Sequence, residues 1–211
     1  MDEDRAKDRL LLAILPNVPF DGWSLAAIRA GARSLAMSEA EAMALFPSAG
    51  ADLIAAFSRW ADRAMLEEVA AKDMSALRVP ERIAAAVRIR LHVLEAHREA
   101  VRRGLALLAL PLNAALGLRL LYETVDAMWY AAGDTSTDYN FYTKRALLAG
   151  VVAATTLYWL DDRSPGGANT DAFLERRLAD VAQIPKVGAR LRELGDRLPN
   201  PFRFLRAAQR R

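Results

Sequence analysis

The stretch Gly133-Asp134-Thr135-Ser136-Thr137-Asp138-Tyr139-Asn140-Phe141-Tyr142-Thr143-Lys144-Arg145 is polar and aromatic, yet it lies between two of the most apolar segments of the chain. Gly133 suits the residue just past a helix, where a left-handed backbone favours glycine, and Asp134, Ser136 and Thr137 each suit the N-cap of a following helix. One helix therefore ends here and another begins. In the second, Phe141 and Arg145 stand four residues apart on one face with Tyr142 beside them, presenting aromatic rings with a cation. Such a face serves either inward packing or contact with a partner.

Working outward, the pattern is helix after helix. Segments 4–15, 25–35, 38–45, 49–71, 81–103, 112–132, 138–160 and 171–181 carry apolar residues at three- and four-residue spacing or sustained Ala/Leu richness. No segment competes as a strand. Pro80, Pro111, Gly133, Pro165-Gly166-Gly167 and Pro185 punctuate the series, with Pro111 separating a short helix from a long one. With 211 residues and 53% hydrophobic content, the chain suits one compact all-α domain with an extension.

Composition narrows the chemistry. There is no cysteine, which removes disulfides, thiolate metal sites and a cysteine nucleophile. His92, Glu95, His97 and Glu99 invite a metal reading on one helix, but the histidines are five residues apart and diverge. The paired Glu-x-x-His motifs of a di-iron bundle site are missing too. Asp161 and Asp162 read as loop residues after a helix. No nucleophile elbow, phosphate-binding glycine loop or dinucleotide fingerprint occurs, so neither an enzyme nor a bound cofactor is expected. The opening Met1-Asp2-Glu3-Asp4-Arg5 resembles neither a secretory signal nor an Arg-rich transit peptide. Segments 104–121 and 146–160 are apolar, but the first holds Pro111, Asn113 and Arg119 and the second is short of the ~20 residues a span needs. Both read as buried helices.

The net charge of +3 is unevenly spread: eight cations and two acids lie from Lys186 onward. In that region Val187, Leu191, Leu194 and Leu198 follow helical spacing. Asn200 and Pro201 then open a second short helix with Phe202, Phe204 and Leu205. This basic amphipathic element suits an anionic membrane surface, or equally docks on the protein's own core.

From Asp126 through Met128, Trp129 and Gly133 to Arg145, then Leu147-Leu148-Ala149-Gly150, Asp162-Arg163-Ser164-Pro165 and Phe173-Leu174-Glu175-Arg176-Arg177, the chain resembles the lipid-binding accessory protein family of ubiquinone biosynthesis. Three short helices followed by Phe46-Pro47-Ser48 and Leu53 also look like the helix-turn-helix head of TetR-type regulators, a fold that the accessory family shares. The resemblance implies a head over 1–72, a helical ligand-binding and dimerisation body over 73–183, and a basic amphipathic segment over 184–211. It implies a homodimer, an isoprenoid quinone or other lipid ligand, and the demethoxyubiquinone hydroxylase as partner. The implied location is the inner face of a bacterial membrane, or the matrix side of a mitochondrial one. By position, the partner patch falls on Asp126, Met128, Phe141, Tyr142 and Arg145, while the basic amphipathic element would hold the carrier at the bilayer through its apolar residues Val187, Leu191, Leu194, Leu198, Phe202, Phe204 and Leu205. A leucine-rich stripe with interspersed Ala and Gly is more often plain core than a cavity. With the resemblance, Leu112, Leu116, Leu120, Leu148, Val152 and Trp159 become the expected lipid-pocket wall.

A ligand-responsive TetR-type transcription regulator is the second reading. Against it, the third helix reads Ser38-Glu39-Ala40-Glu41-Ala42-Met43-Ala44-Leu45, and its glutamates would repel a DNA backbone. Arg29 and Arg33 are two cations on an ordinary helix face. No nucleic-acid partner is expected.

Overall fold

The computed structural model describes residues 2–133 and 140–197, with side chains described over 3–133 and 142–182. Ten α-helices run through these residues, with no strand among them: α1 Asp2–Ile14, α2 Val18–Asp21, α3 Leu25–Ser34, α4 Glu39–Leu45, α5 Gly50–Ala70, α6 Val79–Val93, α7 Arg98–Leu108, α8 Ala114–Ala131, α9 Asn140–Asp161 and α10 Ala168–Arg197.

The ends follow local chemistry. The Ser24 hydroxyl accepts from the Ala27 amide at the start of α3. Ser38 and Glu41 close a reciprocal capping box on α4. Pro80 sits in the first turn of α6, where its missing N–H has no intrahelical partner to lose. Gly133 follows α8 with φ +80°, and its N–H reaches the Tyr130 carbonyl at 3.0 Å, as a glycine just past a helix end should.

Helices α1, α3 and α4 pack into a head around Leu10, Ile14, Ile28 and Phe46. Helix α5 runs from the head into a body where it packs on α6 and α8, which in turn meet α9 and α10 around Met65, Val87, Val125, Met128 and Leu174. Helices α1 and α3 cross so closely that a β-carbon on Gly31 would lie 2.6 Å from Cγ1 of Ile14. On the head surface, Arg29 Nε donates to Glu39 at 2.7 Å, so the cation of α3 is neutralised by the acid of α4.

Three expectations need correction. Segment 104–121 is not one buried helix but the end of α7, a 3-10 turn at Pro111–Asn113 and the start of α8, with Leu110, Leu112 and Leu118 exposed. Segment 81–103 is not one helix: α6 ends at Val93, a 3-10 turn covers Glu95–His97, and α7 restarts at Arg98. Distant groups hold the break. The Trp159 indole donates to Glu95 at 3.1 Å, Arg98 donates to the carbonyls of Trp159 and Asp162 at 2.8 Å each, and the His97 ring lies edge-on to Phe57 and Trp60. Nor does Pro185 end a helix, since α10 stays helical through it to Arg197. A proline inside a helix removes one ladder hydrogen bond and crowds the preceding turn without necessarily stopping it.

Candidate ligand cavity

The body encloses a cavity of about 520 Å³ between α5, α6, α7, α8 and α9. Its wall is almost wholly apolar, with Phe57, Leu94, Leu105, Leu120, Leu121 and Val152 among its larger groups. Small residues, Gly104, Ala114, Gly117 and Ala153, are interspersed along it, and the two glycines admit close contact with Trp23 and Leu108. At one end the helical runs Glu95–Leu108 and Pro111–Ala131 meet at 97°. Leu110, Leu118 and Leu157 are exposed around this elbow, whereas Leu120, Thr124, Val152 and Thr156 further in are buried, so the cavity opens at the elbow and closes inward. Among the described residues no single helix is long and apolar enough to cross a membrane.

The closed end is polar. Arg90 Nε donates to Asp62 Oδ1 at 2.7 Å, Arg90 Nη2 donates to the Ser58 hydroxyl at 3.2 Å, and the Thr124 hydroxyl donates to the Asp62 carboxylate at 3.0 Å. Both side chains of the Arg90–Asp62 pair are about nine-tenths buried. Sequence reasoning passed over this cluster. The signal was available, because Arg90 falls on the apolar stripe of α6 with Ile83, Val87 and Leu94, and Asp62 stands one turn after Ser58 on the buried side of α5.

The predicted lining residues divide. Leu120 and Val152 are on the wall. Leu112 is 93% exposed in the elbow turn, on the rim and not the wall. Leu116 instead lines a second cleft, of mixed charge, with Arg59, Arg63 and Asp8. Leu148 is buried one turn before Val152, towards the Asp126–Arg145 pair and past the closed end. Trp159 is buried with its N–H on Glu95 and the Arg98 guanidinium 4.5 Å from its ring centre.

The predicted partner patch also divides. Tyr142 is 72% exposed and Asp126 about half exposed. Met128 is fully buried in the core and cannot reach a partner. Arg145 is buried, with its Nε 2.7 Å from Asp126 Oδ1. The Phe141 side chain lies outside the described residues, as do those of Val187, Leu191 and Leu194. Leu198, Phe202, Phe204 and Leu205 lie wholly outside them.

The metal reading dissolves into separate contacts. Glu95 binds Trp159 and Arg98, Glu99 pairs with Arg102 and Arg103, and His97 packs against rings. Desolvation pushes the His97 imidazole below its usual range, towards the neutral form. Asp162 proves to be a cap: its carboxylate accepts from the Ser164 amide and from the amide and hydroxyl of Thr170, and these donors hold it far below the usual carboxylate range.

Fold and cavity define an all-α body of TetR-like architecture with an apolar chamber. A crystal structure of the TetR transcriptional regulator from Nitrosomonas europaea ATCC 19718 matches with a TM-score of 0.68 at 23% identity, covering 84% of this chain and 98% of that one. Residues 114–185, the stretch from the elbow into α10, match the COQ9 family model, the family whose resemblance the sequence carries. The ubiquinone biosynthesis protein COQ9, mitochondrial, of Rattus norvegicus is 35% identical over 204 residues, covering 93% of this chain and 65% of the relative. The Homo sapiens protein of the same name is 36% identical over 203 residues, with 93% and 64% covered, and the Drosophila melanogaster one 31% over 185, with 86% and 56% covered. The chain thus spans less than two thirds of the length of these relatives.

Proposed function

We propose that this protein is a lipid-binding accessory protein of ubiquinone biosynthesis, which takes up an isoprenoid quinone intermediate at a membrane and presents it to the di-iron demethoxyubiquinone hydroxylase. The observation that carries this reading is an apolar cavity that opens between exposed leucines at the α7–α8 elbow. A polyisoprenoid tail gains ~0.8 kcal/mol for each methylene kept from water, so it leaves a bilayer only into comparable shelter. The relatives' names place them in ubiquinone biosynthesis, which supports a quinone as the occupant.

In this reading the chain supplies no catalysis and carries no cofactor; the hydroxylase supplies the iron chemistry. Residues 1–72 serve as a retained head, 73–183 as the ligand-binding and dimerising body, and 184–211 as the membrane-contacting segment of a homodimer. Exposed Tyr142 and half-exposed Asp126 are the surface offered to the hydroxylase. The protein works peripherally, on the inner face of a bacterial membrane or the matrix side of a mitochondrial one; the relatives' names support the mitochondrial setting alone.

Native mass spectrometry with lipid extraction, on protein purified from its own host or a close surrogate, tests the reading. Isoprenoid quinone or a precursor should travel with the folded species and be lost on denaturation. Empty protein that shifts a promoter fragment would instead favour a TetR-type regulator, and empty protein that does neither would remove the carrier reading.

A further inference from the structure

We propose that the closed end of the cavity is a hydrogen-bond-donating subsite for the oxygenated ring of a quinone-class ligand, formed by Arg90 and Ser58 and positioned by Asp62 and Thr124. This rests on the carrier reading and adds to it which part of the ligand the protein recognises.

Apart from this cluster and Thr156, whose hydroxyl is spent on the Val152 carbonyl, the wall is hydrocarbon, so a guanidinium there is unusual. Its charge is matched by Asp62, whose carboxylate accepts from Arg90 Nε and from the Thr124 hydroxyl. The donors do not balance in the same way. Arg90 uses Nε and one hydrogen of Nη2 on protein acceptors, and no described residue accepts from its Nη1. The Ser58 hydroxyl accepts from Arg90 and keeps its own proton uncommitted among the described residues. Uncommitted donors on the wall of an apolar chamber favour a ligand that brings oxygen acceptors and little else. A quinone ring does this, since its carbonyls and ring ethers accept while its faces and substituents are apolar.

The geometry also fixes a direction. Thr124 stands ten residues along α8 from Ala114 at the elbow, about 15 Å of helix. A ring held at Arg90 therefore leaves its tail running outward past Leu118 and Leu157. A few polar groups at one end of an apolar pocket orient a ligand in this way.

The test uses the full chain and displacement of N-phenyl-1-naphthylamine by two probes of equal tail length, 2,3-dimethoxy-5-methyl-6-decyl-1,4-benzoquinone and decylbenzene. The wild type should bind the quinone about tenfold more tightly, the worth of one or two hydrogen bonds to a charged donor. A paired Asp62→Asn, Arg90→Met variant removes both charges together. It should reduce the preference to under about threefold while leaving decylbenzene affinity unchanged. Ser58→Ala, which disturbs no ion pair, should give an intermediate preference and decides the matter if the paired variant fails to fold. Equal binding of both probes by the wild type, or an undiminished preference in the folded variants, overturns the subsite and leaves the carrier reading standing. Displacement by neither probe overturns both.

Discussion

Arg145 on α9 donates to Asp126 on α8 across 2.7 Å, and the arginine is only 7% exposed whereas its partner is about half exposed. The pair straps the two helices whose connection opened the sequence reading. Arg145 therefore serves the fold, as buried Met128 does, and Tyr142 and half-exposed Asp126 are the described side chains of the expected partner patch that reach the surface. Arg145→Ala should lower stability by about 2 kcal/mol, because it leaves a partly desolvated carboxylate without its cation. Tyr142→Lys should leave the melting temperature unchanged and weaken capture of the hydroxylase in a pull-down. Unaltered capture by folded Tyr142→Lys would remove Tyr142 from the interface.

The head offers a sharper stability test. A methyl group on Gly31 would meet both the side chain and the backbone of Ile14, and backbone cannot step aside. Gly31→Ala should cost about 1–3 kcal/mol by overpacking. Gly150→Ala, where nothing lies within 4 Å, should raise stability slightly because alanine is the better helix former. Urea denaturation of the two variants should show shifts of opposite sign.

Acid should act in two separate windows. The imidazole of His97 is held below its usual range by burial, so the unfolded chain takes up that proton first. Stability is then full above about pH 6.5 and falls as pH drops below it. The carboxylate of Asp162 is also held down, by its three donors, so its contribution is complete above about pH 4 and is lost on further acidification. His97→Gln should remove the first decline and keep the second, whereas Asp162→Asn should flatten the second. Denaturation midpoints measured from pH 8 to pH 2 distinguish the two.

Filling the cavity should separate ligand binding from folding. Ala153→Trp places an indole in open space on the cavity wall and should abolish displacement of an apolar probe with little change in melting temperature. Trp159→Phe should do the opposite. It costs about 1–2 kcal/mol through the lost bond to Glu95 and the weaker stack with Arg98, and leaves probe binding intact. Probe titration and calorimetry on the same preparations read both effects.

Much of the fold was legible because its boundaries are chemical. Gly133, Pro111 and the Ser38–Glu41 capping box mark helix ends through local rules that need no tertiary knowledge. The break after Leu94 has no proline or glycine to announce it, and depends on Trp159 and Arg98, which come together only in the folded chain. The cavity shows the same division. Leu120 and Val152 can be found because apolar spacing points inward, but spacing does not distinguish wall from core, and it points equally to Leu148 and Trp159, which are buried off the wall. Arg90 lies 28 residues from Asp62, and Thr124 lies 62 from it, so their convergence is a property of how α5, α6 and α8 pack.

The 97° elbow has a consequence for how such a chamber changes over generations. Its two arms are neighbours in sequence, joined only through residues 109–113, yet they form opposite sides of the same opening. Inserting or deleting a residue in that short connector swings one arm against the other and alters the aperture while every wall residue keeps its identity. Ligand size is thereby open to adjustment by loop length alone, independently of the side chains that decide which chemistry is admitted.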